Sequence, residues 1–177
     1  VYVDERTDNI YIGAHAGGMI VLNRRTGQQR FFNTQNSDLP SNNVYSILPD
    51  GYGGLWIASL NALIHYDIAN NHFQTVDRDS KGHRLQEFNG VLFRDSKRRI
   101  WAGGEMGLSI YNQTNTSLTI NTDYDIAPIL KRSFINCFYE SASGHIWVGT
   151  RNGLFALKES TKDFLQYTTA DGLPSNV

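Results

Sequence analysis

Apolar and polar residues alternate along short stretches of the chain, and turn-forming residues separate these stretches. The segments at 50–54 and 69–71 are rich in Gly, Asn and Asp, which accommodate the backbone angles of tight turns. Around them the alternation predicts four strands, at 44–48, 55–59, 62–67 and 72–76. A turn of helix is predicted only at 125–131, as an insertion. The pattern therefore predicts an all-β chain.

The same pattern recurs four times along the sequence. The aligned segments are IYIGAHAGGMIVLN from Ile10, LWIASLNALIHYD from Leu55, IWAGGEMGLSIYN from Ile100 and IWVGTRNGLFALK from Ile146. Their aromatic anchors, separated by 45, 45 and 46 residues, are Tyr11, Trp56, Trp101 and Trp147. This period is typical of solenoids and propellers, and four strands per period favour propeller blades. We predict four blades, each a four-stranded antiparallel sheet, with repeats at about 1–43, 44–88, 89–133 and 134–177.

The repeated residues have structural interpretations. We expect the four aromatic anchors to be buried between neighbouring blades, where each contributes about 2–3 kcal/mol. Asp50, Asp95 and Glu140 are predicted to accept hydrogen bonds from the backbone of the turns that follow them, because a catalytic acid would not occur once per repeat. Glycines at equivalent positions are predicted to allow close approach of the backbone near the axis, namely Gly13, Gly103 and Gly149.

Composition narrows the classes of partner. A formal net charge of -1 and a pI near 6.6 give no electrostatic reason to expect nucleic acid or an anionic membrane as a partner. The basic run Lys97–Arg99 is interpreted as a solvated turn. Cys137 is the single cysteine, which excludes an internal disulfide and a cysteine metal cluster. No stretch has the roughly 18 consecutive apolar residues of a membrane helix.

Signatures of catalysis are missing from the sequence. The five histidines have no metal-ligand spacing, and no nucleophile elbow, dinucleotide-binding or phosphate-loop motif occurs. We therefore expect no catalytic residue, no metal and no cofactor, and an enzyme is not predicted for this segment.

Function is then expected from residues that differ between repeats. In a propeller the loops between the second and third strands, and the junctions between blades, emerge on one face. Polar side chains at these positions could hydrogen-bond a sugar or another polar ligand, although ordinary solvated loops are an equally good interpretation of each. The candidate ligand-binding residues are His15, Asn43, Asn61, Asn89, Glu105, Arg151 and Asn152.

The repeats resemble the two-component regulator propeller family. The resemblance rests on DGYGGLWIA, DSKRRIWAGG and ESASGHIWVGT and on the LPSN junctions at 39–42 and 173–176, and it covers nearly the whole chain. It implies a periplasmic sensor propeller in a membrane-anchored, dimeric histidine kinase, often a hybrid with a response regulator, that responds to an oligosaccharide. Ligand binding would bias the arrangement of two kinase protomers.

Two alternatives come from other functional classes. A sialidase-like propeller glycosidase is suggested by a faint Asp-box likeness of the turn before each Trp, but such an enzyme needs a converging pair of carboxyl groups. Glu105 is the single acidic residue in the loops between second and third strands, which argues against it. The other alternative is a protein-interaction scaffold.

The chain begins without Met and ends at a junction sequence, so we interpret it as part of a longer protein. Propellers usually have four to eight blades, and the family implied by the resemblance uses larger rings. We therefore expect an open four-blade arc whose outer blade faces pair with other propeller blades or with a second copy of the chain.

Overall fold

The computed structural model describes residues 1–85, 90–124, 126 and 128–177. Within them the chain forms antiparallel strands, which in chain order are β1 (Tyr2–Asp4), β2 (Asn9–Ala14), β3 (Gly18–Asn23), β4 (Gln29–Phe32), β5 (Val44–Pro49), β6 (Gly54–Ser59), β7 (Ala62–Asp67), β8 (His72–Val76), β9 (Gly90–Arg94), β10 (Arg99–Gly104), β11 (Gly107–Thr114), β12 (Ser117–Ile120), β13 (Ile135–Glu140), β14 (Ile146–Thr150), β15 (Gly153–Lys158) and β16 (Asp163–Tyr167).

These strands form four four-stranded sheets, each a simple meander: sheet 1 (β1–β4), sheet 2 (β5–β8), sheet 3 (β9–β12) and sheet 4 (β13–β16). The prediction of four four-stranded antiparallel blades is confirmed. The first strands β5, β9 and β13 contact one another across neighbouring sheets, so they lie innermost.

Burial on both faces explains the apolar composition of the second strands. In β10 every residue is buried, with Ile100 and Ala102 packed toward sheet 2 and Trp101 packed toward sheet 4. Consecutive side chains of a strand point to opposite faces, so one strand supplies two cores. Three apolar cores result, each between a pair of consecutive sheets.

The aromatic anchors occupy these cores. Tyr11 lies between sheets 1 and 2, Trp56 between sheets 2 and 3, and Trp101 between sheets 3 and 4, each with no exposed surface.

The prediction for Trp147 is wrong, because its ring is only partly buried. Trp147 lies on the face of sheet 4 that points away from sheet 3, and no sheet packs on that face in the described part of the chain. Its ring lies against Tyr167, with 5.9 Å between ring centroids. The indole lines an open cleft of about 580 Å³, beside Leu165, which is half exposed.

The four sheets form an open arc. Sheets 1 and 2, 2 and 3, and 3 and 4 pack together, whereas the described strands of sheets 1 and 4 form no comparable contact. At the free side of sheet 1, Phe31 keeps 55% of its surface exposed. The expected open arc is confirmed, and each end presents a blade face to solvent.

Two glycines allow neighbouring sheets to approach. A Cβ atom at Gly13 would lie 2.8 Å from the carbonyl oxygen of Val44, and one at Gly103 would lie 2.6 Å from Cβ of Ile135. Val44 and Ile135 belong to the first strands of the next sheets, which matches the predicted close approach near the axis. Gly149, in sheet 4, instead faces Sγ of Cys137 within its own sheet.

Helix is nearly absent from the described residues. The segment at 128–133 forms turns, and Asp125 and Ala127, where the predicted insertion begins, lie outside the described residues. A 3-10 helix spans Thr169–Asp171. None of the helical structure described is long and apolar enough to cross a membrane.

Candidate functional site

The loop face carries the turns β2–β3, β6–β7, β10–β11 and β14–β15 together with the junctions that enter the next sheet. Asn43 ties two of these turns together. Its Oδ1 accepts a hydrogen bond from the Ala16 amide at 2.7 Å, and its carbonyl oxygen accepts one from the Ser59 hydroxyl at 2.8 Å. His15, in the same turn as Ala16, is exposed, and its ring centroid lies 6.4 Å from that of Tyr45. Asn43 therefore has a structural role, while His15 remains accessible.

Arg151 and Asn152 form a second group on the loop face. The Arg151 guanidinium lies 4.1 Å from the centroid of the Phe134 ring. The Asn152 side-chain amide donates to Oγ of Ser133 at 2.8 Å. The main-chain carbonyl oxygen of Asn152 accepts from Nε2 of Gln166 at 2.8 Å. The bond to Ser133 holds the β14–β15 turn against the segment that precedes β13, and the bond from Gln166 holds it against β16. The Arg151 guanidinium covers the face of an apolar ring.

The remaining candidates lie apart from these groups. Asn61 is exposed with φ 58° in the β6–β7 turn and lines a shallow cleft of about 70 Å³ with Arg84. Glu105 is exposed in the β10–β11 turn and forms no ion pair with any described residue. Asn89 lies outside the described residues. The structure thus places His15 near Asn43 and Arg151 beside Asn152 on an exposed face, while Asn61 and Glu105 lie apart from these pairs.

The repeated carboxylates lie on the opposite face. Asp50 accepts bonds from the amides of Tyr52 at 2.6 Å and Gly54 at 2.8 Å. Asp95 accepts from the amide of Arg99 at 2.8 Å and from the indole N–H of Trp101 at 2.8 Å. Both carboxylates therefore stabilise the turn that follows them.

The prediction for Glu140 is wrong. Its carboxylate accepts bonds from Ser96 of sheet 3, at 2.7 Å from the amide and 2.6 Å from the hydroxyl. The turns after β5, β9 and β13 have the same length, because the strand pairs that flank them are Pro49 with Leu55, Arg94 with Ile100 and Glu140 with Ile146. Ser141 therefore takes the position of Asp50 and Asp95, and its Oγ accepts from the His145 amide at 3.0 Å. Glu140 lies one position earlier, at the end of the strand, where it binds the neighbouring sheet.

A cleft of about 420 Å³ lies beside Asp50, with Arg6 and Asp67 on its walls. Nε2 of His65 lies 2.9 Å from Oδ2 of Asp50, and both side chains are almost fully buried. Burial alone would raise the pKa of Asp50, but the bonds from His65 and from the two turn amides outweigh it and lower the pKa below its usual value. Asp50 is therefore an ionised structural acceptor and not a proton donor at neutral pH.

Sequence reasoning missed the role of the junction asparagines. The Asn42 carbonyl oxygen accepts from the Gly18 amide at 2.7 Å, and its Oδ1 accepts from the Thr34 amide at 2.9 Å. Asn176 repeats both bonds, with Gly153 at 2.7 Å and Thr169 at 2.7 Å. We call this arrangement the junction latch. The repeated LPSN sequence was the available signal, because a side-chain amide that recurs at one position of a junction indicates a shared local partner.

The arrangement as a whole is suited to binding. Within the described residues, no group of three or more His, Cys, Asp or Glu side chains is placed to hold a metal ion. The buried carboxylates are held by backbone amides, and the exposed polar groups of the loop face offer donors and acceptors without a converging pair of carboxyl groups.

Comparison with known proteins identifies the repeats. Residues 38–61 and 129–152 match the two-component regulator propeller family. These two segments are similar to two-component regulator propeller repeats. The first matched segment runs from the LPSN junction through β5 and β6, and the second ends in the β14–β15 turn. No curated protein matches the chain.

Solved structures share the fold of these propeller repeats. An extracellular domain assigned to a hybrid two-component system of B. thetaiotaomicron is 23% identical with a TM-score of 0.77, over 99% of this chain and 23% of that one. An extracellular domain assigned to a one-component system of the same organism is 20% identical with a TM-score of 0.75, over 96% and 23%. Virginiamycin B lyase of Staphylococcus aureus is 10% identical with a TM-score of 0.61, over 97% and 58%. The chain therefore spans less than a quarter of the two B. thetaiotaomicron domains.

Proposed function

We propose that the chain is part of the extracytoplasmic sensor region of a membrane-anchored, dimeric two-component regulator, a hybrid histidine kinase that faces the periplasm. The observation that carries this proposal is the match of its repeats to the two-component regulator propeller family. The fold likeness to an extracellular domain of a hybrid two-component system supports the same assignment. The chain itself would bind and transmit, while the kinase chemistry belongs to other parts of the protein.

The proposed signal is an oligosaccharide bound on the loop face. Exposed His15, Asn61 and Glu105 supply donors and acceptors of the kind that bind sugar hydroxyls. Their turns are anchored to rigid sheets, so a ligand that spans several turns would fix their relative positions. Such a ligand shifts a two-state equilibrium only by its difference in affinity for the two arrangements of the protomers.

A propeller glycosidase is the less favoured alternative. Its chemistry needs an acid and a second carboxylate on either side of the scissile bond. Asp50 and Asp95, which the Asp-box likeness would nominate, are engaged by their own turns. A protein-interaction scaffold would differ from the sensor in what it binds, which would be a protein and not an oligosaccharide.

A glycan-array screen of the chain, followed by a turnover assay on every bound glycan, tests the proposal. We expect binding to one class of oligosaccharide without cleavage, and weaker binding after His15→Ala or Glu105→Ala. Thr161→Ala is the matched control, because Thr161 lies in the turn between β15 and β16 on the opposite face. Release of a shortened product would favour the glycosidase, and binding to a protein partner with no glycan signal would favour the scaffold.

A further inference from the structure

Two arginines of sheet 3 meet at the turn between β5 and β6 of sheet 2. Gly51 lies in this turn with φ 79°. The point at which its missing Cβ would lie is 3.2 Å from Nη1 of Arg94 and 3.3 Å from Nη2 of Arg98. Two guanidinium groups therefore face the same side of a residue that has no side chain.

Neither arginine has a carboxylate partner among the described residues. The other cations of the same basic run are paired: Nζ of Lys97 lies 3.0 Å from Glu159, and Arg99 pairs with Glu159 at 2.7 Å and with Asp95. Two positive charges at the Gly51 turn thus have no ion-pair partner among the described residues.

The Arg94 side chain is held in place. Its Nη2 donates to Oε1 of Gln113 at 2.6 Å, and the Gln113 side-chain nitrogen donates to the carbonyl oxygens of Asp50 at 2.8 Å and Asn115 at 2.6 Å. These two carbonyl acceptors fix the orientation of the Gln113 amide. Nε of Arg94 is buried without an acceptor. Burial and the nearby Arg98 lower the pKa of Arg94, and the charge of Asp50 offsets them only in part.

The Arg98 side chain forms the outer wall of the crevice. Its guanidinium carbon lies 5.4 Å from the centroid of the Tyr52 ring, which is half exposed. The backbone of Arg98 has φ 64°, in the left-handed region, as part of the tight turn between β9 and β10. This turn fixes the position of the residue. The crevice therefore has an aromatic wall, a partly buried cation and an exposed cation.

We propose that the crevice lined by Gly51, Tyr52, Arg94 and Arg98 binds an oxyanion, a carboxylate or a sulfate group. An oxygen atom between the two guanidinium groups, in van der Waals contact with Cα of Gly51, would accept from both groups, whose planar donors suit carboxylate and sulfate oxygens. It would also pair two cations that have no ion-pair partner within the described part of the chain, and the glycine permits its close approach. The Gly51 turn lies on the face opposite the loop face, so if the proposed sensor function holds, the natural source is an acidic sugar that binds separately from the oligosaccharide of the loop face, either a uronic acid or a sulfate ester. The anion site itself does not depend on that function.

Isothermal titration calorimetry of the chain at low ionic strength tests the site. The probes are sodium sulfate, sodium glucuronate and, as the neutral counterpart, glucose. We expect saturable binding of one sulfate or glucuronate per chain and no binding of glucose. Arg98→Asn, which tolerates positive φ, and Arg94→Gln should each weaken anion binding about tenfold or more. Arg132→Asn is the matched control, because Arg132 is an exposed arginine of the 128–133 turns and its loss changes the net charge equally.

Each outcome decides the proposal. Glucuronate binding that is lost in Arg98→Asn supports a sugar acid as the source, and sulfate binding alone supports a sulfate ester or a free anion. Affinity that is unchanged in Arg98→Asn, or reduced as much by Arg132→Asn, overturns the site, as does the lack of binding of both anions. Thermal unfolding of Arg98→Asn, a surface substitution, checks that the fold is kept. A failed glycan screen combined with anion binding here would reject the proposed ligand and keep the site.

Discussion

Glu140 at the end of β13 binds the turn of the neighbouring sheet through Ser96, with oxygens 2.7 Å from the backbone nitrogen and 2.6 Å from the hydroxyl. The contact joins sheets 3 and 4 at the rim, where the apolar core between them ends. The Glu140 carboxylate accepts one hydrogen bond from the backbone and one from the side chain of the same residue. Two bonds make the contact directional, so the contact sets the relative position of two blades.

A double-mutant cycle measures this contact. Glu140→Ala and Ser96→Ala should each destabilise the chain. Each single variant loses the bond between the Ser96 hydroxyl and Glu140, and the double variant loses the same bond only once. The two effects should therefore couple by about 0.5–1 kcal/mol. Urea unfolding followed by circular dichroism gives the free energies. Additive effects would show that the bond from the Ser96 hydroxyl contributes nothing to stability.

The two indoles at equivalent positions of sheets 3 and 4 should differ in their contribution. Trp101→Ala is expected to cost about 3–5 kcal/mol, because it leaves a cavity in a closed core and removes the donor to Asp95. Trp147→Ala should cost about 1–2 kcal/mol, because solvent already reaches one side of its ring. The comparison is made by urea unfolding at one temperature. Equal losses would mean that the outer face of sheet 4 is covered in solution.

Asp79 is expected to govern part of the acid stability. Burial would raise its pKa, but the bonds from the His83 amide and ring and from the Ile120 and Lys81 amides lower it to about 2. A lowered folded-state pKa gives stability that is present above the unfolded-state value, near 4, and lost as the pH falls toward 2. Asp79→Asn should therefore be less stable than the wild type above pH ~4, and the difference should vanish near pH ~2. Unfolding free energies at several pH values test this, and a constant difference would exclude the linkage.

The outer face of sheet 4 should drive association of the isolated chain. Leu165 is 50% exposed and Tyr139 is 63% exposed beside Trp147, and water disfavours such a contiguous apolar surface. Static light scattering should show a mass that rises with concentration for the wild type and a smaller rise for Leu165→Lys. Thr161→Lys adds the same charge in the β15–β16 turn and should leave the rise unchanged. A monomeric wild type at all concentrations would contradict the expectation.

The repeat predicted the fold because its signal is redundant. The spacing of Tyr11, Trp56 and Trp101 together with strict alternation determines the sheets, their order and the buried face. Burial of Trp147 depends on a further sheet, and the expected open arc leaves sheet 4 without one among the described residues. The pattern therefore predicted the position of the indole correctly and its environment wrongly.

The details of the polar groups were harder to predict because their partners are distant in sequence. Glu140 lies one position before the residue that corresponds to Asp50 and Asp95, and its partner Ser96 is 44 positions earlier. Arg98 has the sequence context of a solvated turn, and its neighbourhood follows from Gly51 on the preceding sheet. Such contacts depend on how two sheets are placed against each other, which hydrophobic periodicity does not specify.

The junction latch bears on how the number of blades can change in evolution. Asn42 and Asn176 each bind a glycine at the start of the third strand and a threonine after the fourth strand of the sheet that precedes them. Each latch is thus encoded within one period of the sequence, from its own third strand to its own junction. A tandem duplication of one period in the gene would add a blade that already carries the bonds needed to end it, so blade number could change between descendants without compensating substitutions elsewhere.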